Sequence, residues 1–259
     1  MFCLYGLTGY VSLHKLLRLV QSSCGIYRNF LIGEKELIDK EFSLVKFGSR
    51  YTFSPQLFDR AALDFPMRLR SWLSGVGRTS VDVYRVLETA DSERTVLLSG
   101  VVRFVCMNFV NSTSVPFPDS LKRLLLSASS PVAHRFPSIK VPESAATGSF
   151  MTIVRVRYDD MDYNFHTNQA CYMLFALECA AEAAAAGYYS RIREDIAFYR
   201  ALSHTCVHLN ESFAGDELNV STWEGVDNPM LLHFIVTRQQ QRIYYVEIEF
   251  NEKNVASKL

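Results

Sequence analysis

Residues 160–173, DMDYNFHTNQACYM, place a cluster of polar side chains directly before a long apolar segment. The segment that follows, residues 168–187, is rich in alanine and other helix formers and closes with a glycine, which predicts a largely buried helix. Before it, residues 150–158 alternate apolar and polar side chains, which is the period of a strand. Four strand-like segments follow the helix, at residues 205–213, 217–223, 231–238 and 242–250.

The first half of the chain repeats much of this order. A helix is predicted from about Ser12 to Ile32, followed by strands at residues 66–73, 79–87 and 95–109. Few residues precede this helix, so the opening strand of the first unit is expected to be truncated. A proline-containing stretch without periodicity predicts a linker between the two units. The expected division is residues 1–131 for the N-terminal unit, 132–148 for the linker and 149–259 for the C-terminal unit.

One long helix wrapped by an antiparallel sheet, and repeated in tandem, predicts an α+β fold of the double hot-dog type. The polar stretch resembles the signature of hot-dog thioesterases, most closely the C-terminal half of acyl-acyl-carrier-protein thioesterases. The residues that fall on this signature are Asp162, Asn164, His166, Asn168 and Tyr172. In the downstream stretch NESFAGDEL, Glu211 falls on the family's glutamate, and Ser212 stands where the family has a cysteine. The resemblance implies hydrolysis of acyl thioesters to acid and thiol.

The start of the long helix offers a place to stabilise an oxyanion, because the first N–H groups of a helix lack intrahelical acceptors. The backbone groups of Thr167, Asn168 and Gln169 are therefore predicted to bind the substrate oxygen, with Ser212 as a further substrate-binding residue. A serine cannot form a thiolate, so Ser212 excludes a cysteine nucleophile at that position. Cys171 and Cys179 have the spacing of core residues on the helix.

The family pattern also implies catalytic roles for the polar side chains. Asn164 and His166 would hold and polarise the thioester or the attacking water, and Glu211 would act as general base or nucleophile. Asp162 would either orient these groups or serve as the carboxylate itself, and the sequence leaves both possibilities open. The first unit has Gly6, Thr8 and Tyr10 at the corresponding positions, so it is predicted to be non-catalytic.

Composition narrows the possible functions further. The chain has 27 basic and 27 acidic residues without a basic run, which argues against nucleic-acid binding. Its six cysteines lack a CxxC pair, which favours reduced thiols in a reducing compartment. No apolar stretch has the length of a membrane-spanning helix, and neither a metal nor a cofactor is expected. We expect a cytoplasmic protein, with organellar import possible, that is a monomer of tandem repeats or a homodimer.

Three alternatives to a thioesterase are open at this point. The polar residues could be ordinary helix caps, although capping requires neither His166 nor Glu211. The chain could be a non-catalytic hot-dog module that binds acyl chains or a partner. A hydratase of enoyl thioesters shares the fold, but its aspartate and histidine are normally five apart in a glycine-rich context, whereas Asp162 and His166 are four apart. Whether the carrier of the acyl group is CoA or acyl carrier protein is also open.

Overall fold

The computed structural model describes residues 12–22, 42–58, 66–108, 110–111, 113–162 and 164–251. The helices are α1 (Leu13–Ser22), α2 (Asp119–Ser127) and α3 (Gln169–Ala185). The strands are β1 (Phe42–Phe53), β2 (Met67–Val76), β3 (Ser80–Thr89), β4 (Val96–Asn108), β5 (Thr113–Ser114), β6 (Phe150–Arg155), β7 (Ala201–His208), β8 (Glu217–Glu224), β9 (Leu231–Arg238) and β10 (Gln241–Phe250).

In the described part of the chain, all strands belong to one antiparallel sheet. Its order is β2-β3-β4-β1-β7-β10-β9-β8-β6, and the short β5 pairs with β4. The four strands β1 to β4 and the four strands β7 to β10 have the same internal order, and they meet where β1 pairs with β7. This repeated sheet with α3 packed inside it is the predicted tandem hot-dog architecture, which is confirmed.

Helix α3 forms the centre of the main core. Small side chains on α3 let the sheet approach its backbone closely, and Ala176, Ala180 and Ala183 are completely buried. The Asn168 side chain accepts a hydrogen bond from the Ala170 N–H group and caps the start of the helix. Gly187 follows the end of the helix with a φ of 70°, which a residue with a side chain rarely adopts. The helix predicted over residues 168–187 is therefore confirmed.

Strand β1 is missing from the sequence prediction, and another strand is shifted. The bulge between Lys46 and Gly48 interrupts the alternation of β1, and its inward side chain at Ser49 is polar, so the strand pattern is hidden. The strand predicted over residues 205–213 instead covers Ala201–His208, so Glu211 lies in the loop that follows β7. For the first predicted helix, α1 ends at Ser22, and residues 23–41 lie outside the described residues, as do Gly6, Thr8 and Tyr10.

The segment between the two units crosses the outer face of the sheet and is fixed there by a buried carboxylate. Asp82 forms two hydrogen bonds with the Arg103 guanidinium, at 2.8 and 2.9 Å, and it also accepts the Phe136 N–H group at 3.3 Å. The Phe136 side chain is buried against Val101 of β4 and Val207 of β7. This segment therefore packs over the junction of the two halves of the sheet.

Candidate active site

The loop before α3 is organised around the Asp162 carboxylate. Asp162 Oδ1 accepts hydrogen bonds from the N–H groups of Asn164 at 2.8 Å and His166 at 3.3 Å. The Asp162 N–H group donates to the His166 carbonyl oxygen at 2.8 Å, which closes the loop. Asp162 thereby fixes the backbone that carries the two predicted catalytic side chains, and the Asn164 side chain is exposed to solvent.

His166 and Glu211 come from different loops and meet at the surface. His166 Nδ1 lies 3.3 Å from Glu211 Oε1, with side-chain exposures of 36% and 58%. The two loops are joined directly below this pair, where the Thr167 N–H group donates to the Ser212 carbonyl oxygen at 2.8 Å. The structure thus brings together a titratable imidazole and a carboxylate that are both open to a ligand.

A buried group of hydroxyls lies beneath the pair. The Ser212 hydroxyl is completely buried, 2.7 Å from Thr167 Oγ1 and 2.8 Å from the Tyr172 hydroxyl. Burial raises the pKa of Tyr172, although its hydrogen bond with Ser212 opposes the rise, so Tyr172 keeps its proton. In this arrangement Thr167 and Ser212 connect the loop after β7 to the start of α3. Their contact with substrate remains a prediction.

The backbone at the helix start differs from the sequence prediction. The Thr167 N–H group donates to Ser212, and the Asn168 N–H group donates to the Asp160 carbonyl oxygen at 2.7 Å. The expectation that both groups are unpaired is therefore wrong. Gln169, the first residue of α3, has an N–H group for which the described residues provide no acceptor. This group lies at the positive end of the α3 dipole.

Aromatic side chains that the sequence analysis did not identify border the His166–Glu211 pair. The Phe213 ring meets the His166 ring edge-on, with 5.4 Å between centroids, and the Arg238 guanidinium lies 5.9 Å from the Phe213 centroid. Phe165 is 66% exposed and has a φ of 61°, an unusual backbone conformation for a bulky residue. In the sequence, the only indication of a role for Phe213 is its position two residues after Glu211, the predicted catalytic glutamate.

The described residues contain no group of three or more histidine, cysteine, aspartate or glutamate side chains arranged to hold a metal ion. Within the same residues, no helix is both long enough and apolar enough to cross a membrane.

The architecture is that of hot-dog acyl-acyl-carrier-protein thioesterases, to whose solved structures the chain is similar over nearly its whole length. One is the 12:0-ACP thioesterase from Umbellularia californica, with a TM-score of 0.74, 14% identity, and coverage of 96% of this chain and 94% of that one. Another is an acyl-ACP thioesterase from Bacteroides thetaiotaomicron VPI-5482, with a TM-score of 0.71, 16% identity, and coverage of 96% and 93%. At these identities the similarity establishes the fold. No protein-family model and no curated protein sequence matches the chain.

Proposed function

We propose that this protein hydrolyses acyl thioesters to a free acid and a thiol, with acyl-ACP or acyl-CoA as substrate, in fatty acid metabolism. The observation that carries the proposal is the exposed His166–Glu211 pair, 3.3 Å apart, beside the start of α3. The acyl-ACP thioesterase fold of the chain adds support, because the resemblance of the loop motif and the fold point to the same class of reaction.

In this proposal Glu211 is the carboxylate that activates water or attacks the thioester carbonyl. Asp162 is the alternative, but its Oδ1 atom already accepts two backbone N–H groups, whereas Glu211 is 58% exposed and contacts His166. His166 orients the Glu211 carboxylate and shuttles the proton that Glu211 takes from water. Such a role typically contributes about 10²- to 10⁴-fold in rate. Asp162 then acts as a positioning residue for the loop.

The developing oxyanion needs donors that are not already engaged. The Gln169 N–H group at the start of α3 meets this requirement, with the helix dipole behind it. The exposed side chain of Asn164 is the second candidate donor. Neither role requires a metal or a diffusible cofactor.

The proposed setting is the cytoplasm, or an organelle after import, with the protein acting as a monomer of tandem units or as a homodimer. The described cysteines Cys106, Cys171, Cys179 and Cys206 are all free and buried, which agrees with a reducing compartment.

The proposal is tested by release of free thiol from acyl-CoA and acyl-ACP panels that run from acetyl to stearoyl. We expect turnover by wild type and a loss of about 10³-fold or more for Glu211→Gln, because the variant keeps the shape but loses the base. Glu217→Gln is the matched control, since Glu217 is an exposed carboxylate at the start of β8. A larger loss for Asp162→Asn than for Glu211→Gln would make Asp162 the reacting carboxylate. If no thioester is cleaved, the protein is a non-catalytic acyl-binding module.

A further inference from the structure

The Phe213 side chain packs against His166 from the loop that also carries Glu211. The Phe213 ring meets the imidazole edge-on, at an interplanar angle of 80° and with 5.4 Å between the ring centroids. Glu211 Oε1 lies 3.3 Å from Nδ1 of the same imidazole. Glu211 and Phe213, on either side of the completely buried Ser212, therefore both contact His166.

The position of Phe213 is fixed by a carboxylate in the turn that follows it. Asp216 Oδ2 accepts a hydrogen bond from the Phe213 N–H group at 2.9 Å, and the Asp216 N–H group donates to the Phe213 carbonyl oxygen at 3.1 Å. Gly215, within this turn, has a φ of 91°, a conformation that favours glycine. The Gly215 N–H group donates to the Val156 carbonyl oxygen at 2.9 Å, and the Val156 N–H group donates to the Asp216 carbonyl oxygen at 2.9 Å. The turn is therefore tied to the segment that follows β6.

Arg238, the last residue of β9, connects this turn to the hairpin formed by β9 and β10. Its Nη1 atom donates to Asp216 Oδ2 at 2.6 Å, and its Nη2 atom donates to Gln241 Oε1 at 3.0 Å. The Arg238 guanidinium also lies 5.9 Å from the Phe213 ring centroid, which is within the range of a cation–π contact. One cation therefore contacts both the Phe213 ring and the carboxylate that holds the Phe213 backbone.

These contacts favour one orientation of the His166 imidazole. The His166 side chain is 36% exposed, and a partly exposed side chain exchanges between rotamers unless its neighbours hold it. The edge-on contact with Phe213 favours the observed orientation, in which Nδ1 faces Glu211. An ionised carboxylate only accepts hydrogen bonds, so Nδ1 carries the proton in this orientation. Nε2 is then the ring nitrogen that is left to face a substrate.

Building on the proposed thioesterase function, we propose that Phe213, held by Asp216 and Arg238, is a positioning residue that keeps His166 Nδ1 on Glu211. Phe213 acts through the orientation of the imidazole, and the hydrolysis itself takes place at Glu211 and His166. Loss of the Phe213 ring therefore lowers kcat more than it changes KM, because orientation contributes to the chemical step. Asp216 and Arg238 act one contact further away, through the position of Phe213.

The kinetic test compares Phe213→Ala with Phe213→Tyr in the release of thiol from the preferred acyl-CoA. Phe213→Ala should lower kcat by about 10-fold or more and change KM by less than about threefold, because a misplaced imidazole slows the chemical step. Phe213→Tyr keeps the ring, and its kcat should stay within about twofold of wild type. Phe198→Ala is the matched control, because Phe198 is 39% exposed, close to the 42% of Phe213, and lies between α3 and β7. A change confined to KM in Phe213→Ala would make Phe213 a substrate-binding residue and contradict the inference.

A double-mutant cycle tests the contribution of the ion pair. Arg238→Gln should lower kcat by about fivefold in wild type and cause no further loss in Phe213→Ala, because its effect on His166 passes through the Phe213 ring. Losses that add in the double variant would mean that Arg238 acts by another route, and the assigned order of contacts would be wrong. Asp216→Asn provides the same cycle if Arg238→Gln does not fold.

A spectroscopic measurement separates this inference from the proposed hydrolysis. Long-range ¹H–¹⁵N spectra of histidine-labelled protein at about pH 8.5, where imidazoles are neutral, report which ring nitrogen carries the proton, and His166→Gln assigns the signal. Wild type should have the proton on Nδ1 of His166, and Phe213→Ala should show a mixture of both tautomers. If no thioester is hydrolysed but this difference is observed, the inference stands and the hydrolase proposal fails. A wild-type proton on Nε2, or an unchanged tautomer in Phe213→Ala, makes the inference wrong whether or not thioesters are hydrolysed.

Discussion

The candidate active site has two layers that differ in exposure and in bonding. The upper layer is His166 and Glu211, which are partly exposed and contact each other. The lower layer is Thr167, Tyr172 and Ser212, which are buried and joined by their hydroxyl groups. This difference indicates that the two side chains proposed for the chemistry are supported by a separate group of buried residues. Substitutions in the upper layer should change the rate of hydrolysis with little effect on stability. Substitutions in the lower layer should change stability with little effect on the rate of hydrolysis.

The sharpest test of the upper layer after Glu211 is His166→Gln. We expect kcat/KM for the preferred acyl-CoA to fall about 10²- to 10⁴-fold, because glutamine can hydrogen-bond but cannot shuttle a proton. The free energy of unfolding in urea should change by less than about 0.5 kcal/mol, because the side chain is partly exposed. A loss of stability above that value together with retained activity would contradict the separation of layers.

The lower layer is tested by Tyr172→Phe. This variant keeps the ring that stacks on Tyr244 but removes the hydroxyl that contacts Ser212. The free energy of unfolding should decrease by about 1–3 kcal/mol, because a buried hydroxyl loses one of its partners. Urea denaturation measures the decrease, and thiol release should stay within about an order of magnitude of wild type. Unchanged stability with abolished hydrolysis would instead place Tyr172 in the chemistry.

A third test uses His208, which packs against Tyr172 and Tyr244 beneath the open pair. Burial lowers its pKa below the ordinary 6.5, so the unfolded chain binds a proton more readily than the folded protein does. Stability should therefore fall as the pH decreases from about 6.5 towards the lowered pKa, by at most about 1.4 kcal/mol per pH unit. Urea unfolding of His208→Phe should show a smaller decrease in the free energy of unfolding between about pH 7.5 and 5.5 than wild type does. An unchanged pH dependence would mean that His208 does not contribute.

The smallest effect is expected for Ser212→Cys, which introduces the cysteine found at this position in the thioesterase signature that the loop resembles. A thiol is larger and a weaker hydrogen-bonding group than a hydroxyl, so the free energy of unfolding should fall by about 1 kcal/mol. Hydrolysis should change by no more than about twofold, because Ser212 is completely buried and the proposed chemistry uses Glu211. A large gain in rate, with inactivation by a thiol reagent, would show that the layer beneath the pair takes part in catalysis.

Local signals in the sequence predicted much of the fold. The small apolar residues of α3, its asparagine cap and the closing Gly187 are all visible within one segment, and the helix was correctly predicted. Strand β1 was missed because its inward side contains Ser49 and Lys46 where an apolar pattern was expected. Ser49, one of the polar residues that obscured the strand, pairs with Cys206 of β7.

The site was less predictable because its contacts join distant residues. The signature predicted that Asp162, His166 and Glu211 belong to one site, and His166 and Glu211 do lie in contact, but it gave no indication that Asp162 accepts two backbone N–H groups. The Tyr172–Ser212 hydrogen bond spans 40 residues and depends on where β7 ends. The same holds for the Thr167 N–H group, whose acceptor Ser212 belongs to a loop that only the folded chain brings close.

The pairing of β1 with β7 has a consequence for symmetry. If two identical chains met through the same strand about a two-fold axis, every contact would occur twice with the same two residues exchanged. Here Ser49 faces Cys206 and Tyr51 faces His204, so the two sides of the junction have unlike residues. In a homodimer, one substitution appears on both sides of the interface because both chains have the same sequence. When both halves belong to one polypeptide, each side of the junction can change separately. The two sides of the junction can therefore evolve different residues, which a homodimer of identical units could not encode.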